Sequence, residues 1–267
     1  MNKSERNEYM RNMLMMRPDL EEVRAKLKAS PEDSMLWYQL GMALCNNNLF
    51  EDGINAFSRA ICLEPFNAYY HFGRGRRLAA IGQFWQGMAD LTLATRITPE
   101  SWTFWYYCGT TRYLHGLKEE SIEDFRKCAE LAEPYERYPF VHWLYTIYLC
   151  DLGEKEKAVE ALSLVPDDAV PPQMDYGYCR CVKLYKGLIK PESFIDIQDM
   201  QEKCLKHENR INLELNTMYY GLYAYALYIN DNSLADYALK ELMKIAIPAA
   251  FGYKRGVEAA RKRGIIE

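Results

Sequence analysis

From Ser34 to Tyr135 the apolar and small positions of the chain fall into register with themselves nearly three times. Trp37 aligns with His71 and Trp105, and Phe57 with Leu91 and Phe125. Gly41, Gly75 and Gly109 form one column of small residues. Gly53, Gly87 and Ser121 form a second, and Ala60, Ala94 and Cys128 a third. Pro31, Pro65 and Pro99 mark the joints on a step of 34 residues, and Pro134 comes one residue late. A self-similarity of this length belongs to repeated helix–turn–helix units. Counting from Ser34, Ala68 or Trp102, a first helix is predicted through about position 14 and a second through about position 30. Small residues at positions 8, 20 and 27 let helix axes approach, and large apolar residues at positions 4, 11 and 24 fill the remaining gaps. Proline near position 32 ends the second helix, because it lacks an amide donor and clashes with the preceding turn. No single pair buries its apolar face alone, so pairs stack and share a core.

These columns resemble the tetratricopeptide repeat, whose Trp, Leu-Gly, Tyr, Ala, Phe, Ala and Pro pattern is matched most fully in the first unit. There the matching residues are Trp37, Leu40, Gly41, Leu44, Gly53, Phe57, Ala60 and Pro65. The resemblance implies an all-α fold, a right-handed solenoid of stacked antiparallel helix pairs.

Residues 1–33 read as a shortened capping repeat, with a brief helix over 8–16 and a second over 19–29. In the latter, Leu20, Val23 and Leu27 recur at helical spacing. Residues 34–135 hold the three regular repeats, and 136–248 three degenerate ones. Pro139 opens the fourth pair: its first helix carries His142, Trp143, Tyr145, Thr146 and Leu149, Gly153 turns the chain, and Ala158, Leu162 and Val165 line the second helix. Pro166 and Pro171-Pro172 predict a loop over 166–173. Helices over 176–188 and 194–207 make a fifth pair, and 216–247 a sixth. Residues 249–267 form a capping helix whose basic end, Arg261 to Arg263, complements the helix dipole in solvent. One continuous solenoid is expected.

Composition narrows the class of job. Hydrophobic residues make up 49% of the chain, ample for burial, and the formal charge of −4 gives no long-range attraction to nucleic acid or an anionic membrane. No apolar run approaches the roughly 18 residues of a membrane span, and the first residues are mixed in charge rather than an apolar signal core. The 8 cysteines are scattered without zinc-ligand or redox-motif spacing, so reduced thiols, a cytoplasmic location, and neither metal nor cofactor are expected.

In the family that these repeats resemble, first-helix positions 2, 5, 9, 12 and 13 line a concave groove. The resemblance places Tyr38, Met42 and Cys45 there in the first repeat, and Tyr69, Phe72 and Arg76 in the second. Tyr106, Thr110 and Tyr113 follow in the third, and Trp143, Cys150 and Asp151 in the shifted fourth. Rings beside an arginine suit a peptide or helix of a partner protein. The same rings could instead pack on one another or under a C-terminal helix. The set that clamps a partner's terminal carboxylate in some family members is missing: Tyr38, Met42, Gly73, Thr103 and Tyr107 stand in its positions.

A basic knot accompanies the groove: His71, Arg74, Arg76 and Arg77, with Arg112 and His115 one repeat later. Arg74 and Arg112 occupy normally apolar positions and need partners. Asp90 and Asp124 are placed to supply structural ion pairs, the rival being an anion pocket of Arg74, Arg76 and Arg112. No phosphate loop, nucleophile elbow or His-Glu-x-x-His motif is present, and no catalytic residue is assigned. The expected function is a non-catalytic scaffold for a protein partner. The alternatives are an anion or small-molecule sensor and a homodimer formed through the solenoid ends or the tyrosines at 219, 220, 223, 225 and 228.

Overall fold

A computed structural model of the chain describes residues 12–13, 16–170, 175–203, 208–248 and 250–267. The fold is an all-α solenoid of helix pairs, with no strand among the described residues. The regular repeats give α2 (Ser34–Asn46) with α3 (Phe50–Leu63), α4 (Ala68–Ala80) with α5 (Phe84–Ile97), and α6 (Trp102–Leu114) with α7 (Lys118–Leu131). Before them lies α1 (Leu20–Ala29), capped by the Asp19 carboxylate, which accepts from the Glu22 amide at 2.8 Å. After them come α8 (Tyr138–Thr146), α9 (Lys155–Ala161), α10 (Tyr176–Tyr185), α11 (Ile197–Lys203), α12 (Glu208–Tyr228), α13 (Asn232–Ile245) and α14 (Phe251–Lys262). The chain divides into two compact units, Met1–Thr111 and Arg112–Glu267.

The regular repeats pack as their columns require. In α3 the buried residues are Gly53, Ala56, Phe57 and Ala60, the i, i+3, i+4, i+7 stripe of an amphipathic helix. Phe57, Leu91 and Phe125 are all 0% exposed, as are Ala60, Ala94 and Cys128. The glycine columns are contacts between backbones. A Cβ on Gly87 would lie 2.7 Å from the Gly75 carbonyl oxygen, and one on Gly75 would lie 2.9 Å from that of Gly87. Position 4 departs from the gap-filling role read from sequence. Trp37 and Trp105 stay half-buried and donate their indole N–H to the Pro31 and Pro99 carbonyls, each at 2.8 Å. His71 makes the equivalent bond to Pro65, also 2.8 Å. A ring nitrogen thus ties each first helix to the joint before it, and three different sequence contexts yield one bond.

One left-handed residue marks the turn inside each pair: Asn48, Gly82, Gly116, Gly153, Gly187 and Asn230, with φ between 59° and 90°. Side chains clash with the backbone in this region, which is why glycine or asparagine fills every one.

Several expectations for the degenerate repeats need correction. The first helix of the fourth pair continues as a π-helix over Ile147–Leu152, and the second shrinks to α9 plus a 3-10 turn at Leu162–Leu164, leaving Val165 extended. In the fifth pair the second helix begins at Ile197 rather than 194, because Pro191–Ser193 takes a 3-10 turn. In the sixth, α12 starts eight residues before Asn216. Arg263 is not a solvated cap: its Nε donates to Asp236 Oδ1 at 2.6 Å. The brief helix over 8–16 lies outside the described residues, except that 12–13 are helical and Met16 is not. Of the 166–173 loop, 166–170 is irregular and the rest lies outside the described residues. In the second unit α12 packs against α8, α10, α13 and α14, which is why its tyrosines point to several sides: Tyr220 and Tyr223 are buried within the unit.

Candidate functional site

In the first unit the predicted groove residues form a graded wall rather than an open row. Tyr38 is buried, 5.6 Å from Phe57 and 5.3 Å from Tyr70 between ring centroids, and its hydroxyl donates to the Met13 carbonyl. Met42, Tyr69 and Phe72 are buried too. Phe72 meets Phe104 at 4.7 Å and, edge-on, Tyr107 at 5.2 Å; Tyr69 meets Phe104 at 5.5 Å. Thr110 is buried, its hydroxyl donating to the Tyr106 carbonyl. What reaches the surface is half-buried: Arg76, Arg77, Tyr106 and Tyr107. The Arg76 guanidinium lies 4.1 Å from the Tyr107 ring centre and 5.3 Å from that of Phe72. Sequence reading put Arg76 and Tyr106 in the groove and Tyr107 outside it. Tyr107 enters because the guanidinium crosses from α4 to α6. An open depression of about 540 Å³ at the α3–α4 joint, lined in part by Leu63, Glu64, Phe66 and Tyr69, touches none of these four residues.

The basic knot separates into paired and unpaired members. Arg74 forks onto Asp90, Nε to Oδ2 at 2.7 Å and Nη2 to Oδ1 at 2.9 Å, and reaches Ser58 Oγ at 3.1 Å. Burial works against the Asp90 charge, but hydrogen bonds from Arg74 and His71 outweigh it and hold the carboxyl below its ordinary pKa. Arg112 meets Asp124 differently: a single nitrogen, Nη1, donates to both oxygens at 2.6 Å. Burial then dominates over Arg112, with Glu123 and Glu120 adding to it, and the Asp124 pKa rises to about 7. The same column therefore holds two carboxylates shifted in opposite directions.

His71 is the titrating member. Its Nε2 faces the Pro65 carbonyl and its Nδ1 faces Asp90 Oδ1 at 3.2 Å, both acceptors, so both bonds form only with the imidazolium. The hydrogen bond to Asp90 raises the ring's pKa; burial and Arg74 oppose it and the Pro65 bond assists. A raised folded pKa gives stability fully present below the unfolded value near 6.5 and lost as pH climbs through the folded one. The stability difference between wild type and His71→Gln, measured by urea unfolding from acid to alkaline pH, is expected to shrink across that window. A difference flat through neutral pH would show a neutral ring.

In the second unit the groove positions are covered by the chain's own C-terminal helices. Tyr113 is 1% exposed and donates its hydroxyl to Asp151 Oδ2 at 2.5 Å; the Arg255 guanidinium of α14 lies 4.5 Å from its ring centre. Burial raises the Tyr113 pKa well above the ordinary phenol value, with Tyr220 and Asp151 adding to it, so the hydroxyl stays a donor. Trp143 packs against Tyr113 at 5.7 Å, Tyr220 of α12 at 6.3 Å and Phe251 of α14 at 6.4 Å. Asp151 holds Arg255 at 2.5 Å and Lys118 at 3.3 Å. His142 lies fully inside this layer, its pKa lowered by burial to about 3, and is neutral. The covering of Tyr113 and Trp143 was left open by the sequence, and nothing in the 34-residue columns announces Arg255 or Tyr220.

Among the described residues no group of three or more His, Cys, Asp or Glu side chains is placed to hold a metal ion, the seven described cysteines are free, and no helix is long and apolar enough to cross a membrane.

No protein-family profile matches the chain. The small glutamine-rich tetratricopeptide repeat-containing protein 2 of Saccharomyces cerevisiae is 28% identical over 107 residues, covering 40% of this chain and 30% of that relative. The chain thus spans less than a third of the length of the curated relatives it matches. Among solved structures, YrrB, described as a TPR protein with an unusual peptide-binding site, superposes with a TM-score of 0.51 at 12% identity, covering 86% of this chain and 95% of YrrB. The APC/C hetero-tetramer Cut9–Hcn1 gives 0.55 at 15% identity, over 88% of this chain and 44% of its own. Columns, turns and likenesses together define the fold: that of a tetratricopeptide-repeat solenoid.

Proposed function

We propose that the chain is a non-catalytic interaction scaffold that receives a segment of a partner protein on the first-helix face between α4 and α6. The observation that carries this reading is the Arg76 guanidinium seated on the Tyr107 and Phe72 rings beside half-buried Tyr106. Arginine and tyrosine are enriched among the residues that carry binding energy where proteins meet, because each offers large area and directed hydrogen bonds; the tyrosine ring has little freedom to lose, and Arg76 is already oriented by its ring contacts. Phe72 is buried and packed on buried Phe104, and Tyr107 sits edge-on to Phe72, so the face is formed before a partner arrives, which lowers the ordering cost of binding. The peptide-binding site attributed to YrrB supports such a use of the same fold.

The test compares wild type with a Tyr106→Ala, Tyr107→Ala variant in pull-downs from the source cell's extract, read by mass spectrometry. The expected result is a protein retained by wild type and reduced at least tenfold on the variant, while circular dichroism shows the variant folded. Equal recovery on both would move the contact off this face.

A further inference from the structure

Of the basic knot, Arg74 and His71 share Asp90 and Arg112 has Asp124. Arg76 and Arg77 have no carboxylate partner among the described residues. Arg76 lies on Phe72 and Tyr107, while Arg77 lies 5.9 Å from the centre of the Phe50 ring. Both arginines oppose the rise that burial imposes on the Cys45 thiol. Two adjacent, half-buried guanidiniums repel each other. Burial lowers the Arg77 pKa, and Arg76 lowers it further. Half-buried like charges without counter-charge are disfavoured. Elsewhere in the same helix the chain supplies such a charge: Arg74, two residues earlier, has Asp90.

We infer that Arg76 and Arg77, backed by Phe72, Tyr107 and Cys45, form an anion-binding subsite that holds an Asp or Glu side chain of an acidic segment in the partner protein. This rests on the groove reading above and names its chemistry. Charge complementarity selects the occupant. A guanidinium stacked on a ring keeps its N–H edge free to fork onto a carboxylate, and the ring contacts fix its orientation beforehand. The chain as a whole is acidic, with a formal charge of −4, so an acidic partner is recognised at this cluster and not by long-range steering. The residues that clamp a chain-terminal carboxylate in some tetratricopeptide-repeat proteins are missing, Tyr38, Met42, Gly73, Thr103 and Tyr107 standing in their positions, so a side-chain carboxylate rather than a chain terminus is the fitting group.

A random-peptide display library selected on the full-length chain tests this. The expected consensus carries Asp or Glu at one position beside apolar residues. Replacing that acid by its amide in a synthetic copy weakens binding about tenfold or more. On an Arg76→Gln, Arg77→Gln variant with wild-type circular dichroism, the acid preference disappears and the apolar preference persists; Arg76→Lys, Arg77→Lys retains part of it. An apolar consensus without an acid, alike on wild type and variant, overturns the anion-binding subsite and leaves the groove reading intact. No consensus on any form overturns both. If inorganic phosphate raises the melting temperature of wild type but not of the Gln variant, and no acid is selected, the occupant is a free anion and the peptide assignment fails.

Discussion

Phe57→Ala is expected to cost about 3–5 kcal/mol of stability, the range for emptying a fully buried aromatic site. The upper half of that range fits the walls of this site. The ring is 0% exposed, and two of its walls are glycines on different helices. A Cβ on Gly41 of α2 would lie 2.7 Å from Phe57, and one on Gly73 of α4 would lie 2.9 Å from it. Because neither of these walls has a side chain, closing the hole from either side would require a helix backbone to move, and the Tyr38 ring on a further side is held by its own hydroxyl bond to the Met13 carbonyl. Phe57 is thus the wedge that spaces one repeat from the next. In a repeat protein, stability resides partly in such neighbour interfaces. Urea unfolding followed by circular dichroism measures the loss, and hydrogen exchange should place it in α2 through α4. A loss under about 1 kcal/mol would mean that the helices close up and that the glycines are not held apart by the ring.

The regular repeats were legible because their geometry repeats in residue types. Small columns at Gly41, Gly75 and Gly87 and the large column at Phe57, Leu91 and Phe125 describe direct helix contacts, and the observed helices follow them to within a residue or two. Arg74 and Arg112 were legible too, since a guanidinium in an apolar column demands an acid and Asp90 and Asp124 lie in register. Beyond Pro134 the columns fade because helix lengths change. The π-helix at Ile147–Leu152 and the long α12 shift the phase that a fixed 34-residue step needs. A signal for those turns was present in the left-handed residues Gly153, Gly187 and Asn230, which continue the series begun by Asn48, Gly82 and Gly116. Position 4 was misjudged because hydrophobicity alone counts an indole as filler and ignores its N–H. The groove was half legible: its positions were named, but exposure depends on what packs across them. Tyr113 and Trp143 are covered by residues about 80 to 140 positions away.

That cover depends on Asp151, and Asp151→Asn is expected to destabilise the second unit by about 3–5 kcal/mol. The carboxylate is 6% exposed and serves three donors: Arg255 at 2.5 Å, Lys118 at 3.3 Å and the Tyr113 hydroxyl at 2.5 Å. An amide keeps the shape and removes the charge. Arg255, itself 12% exposed on its side chain, then keeps only Glu258, half in solvent, and the Tyr113 ring. Exposed ion pairs of the Glu258 kind contribute little, so most of the buried-charge penalty returns. The loss should be reversible by removing the other partner. Asp151→Asn with Arg255→Met is expected to be more stable than Asp151→Asn alone, because the orphaned guanidinium goes with it. Hydrogen exchange locates the effect: α14 amides should lose protection in the single variant while α2 to α5 keep theirs. With α14 loosened, Tyr113 and Trp143 regain the exposure that their groove positions would otherwise have, since Arg255 and Phe251 are what α14 lays over them. If α14 stays protected and the loss is below about 1 kcal/mol, the apolar contacts of Phe251 hold the cover and the ion pair is incidental to it.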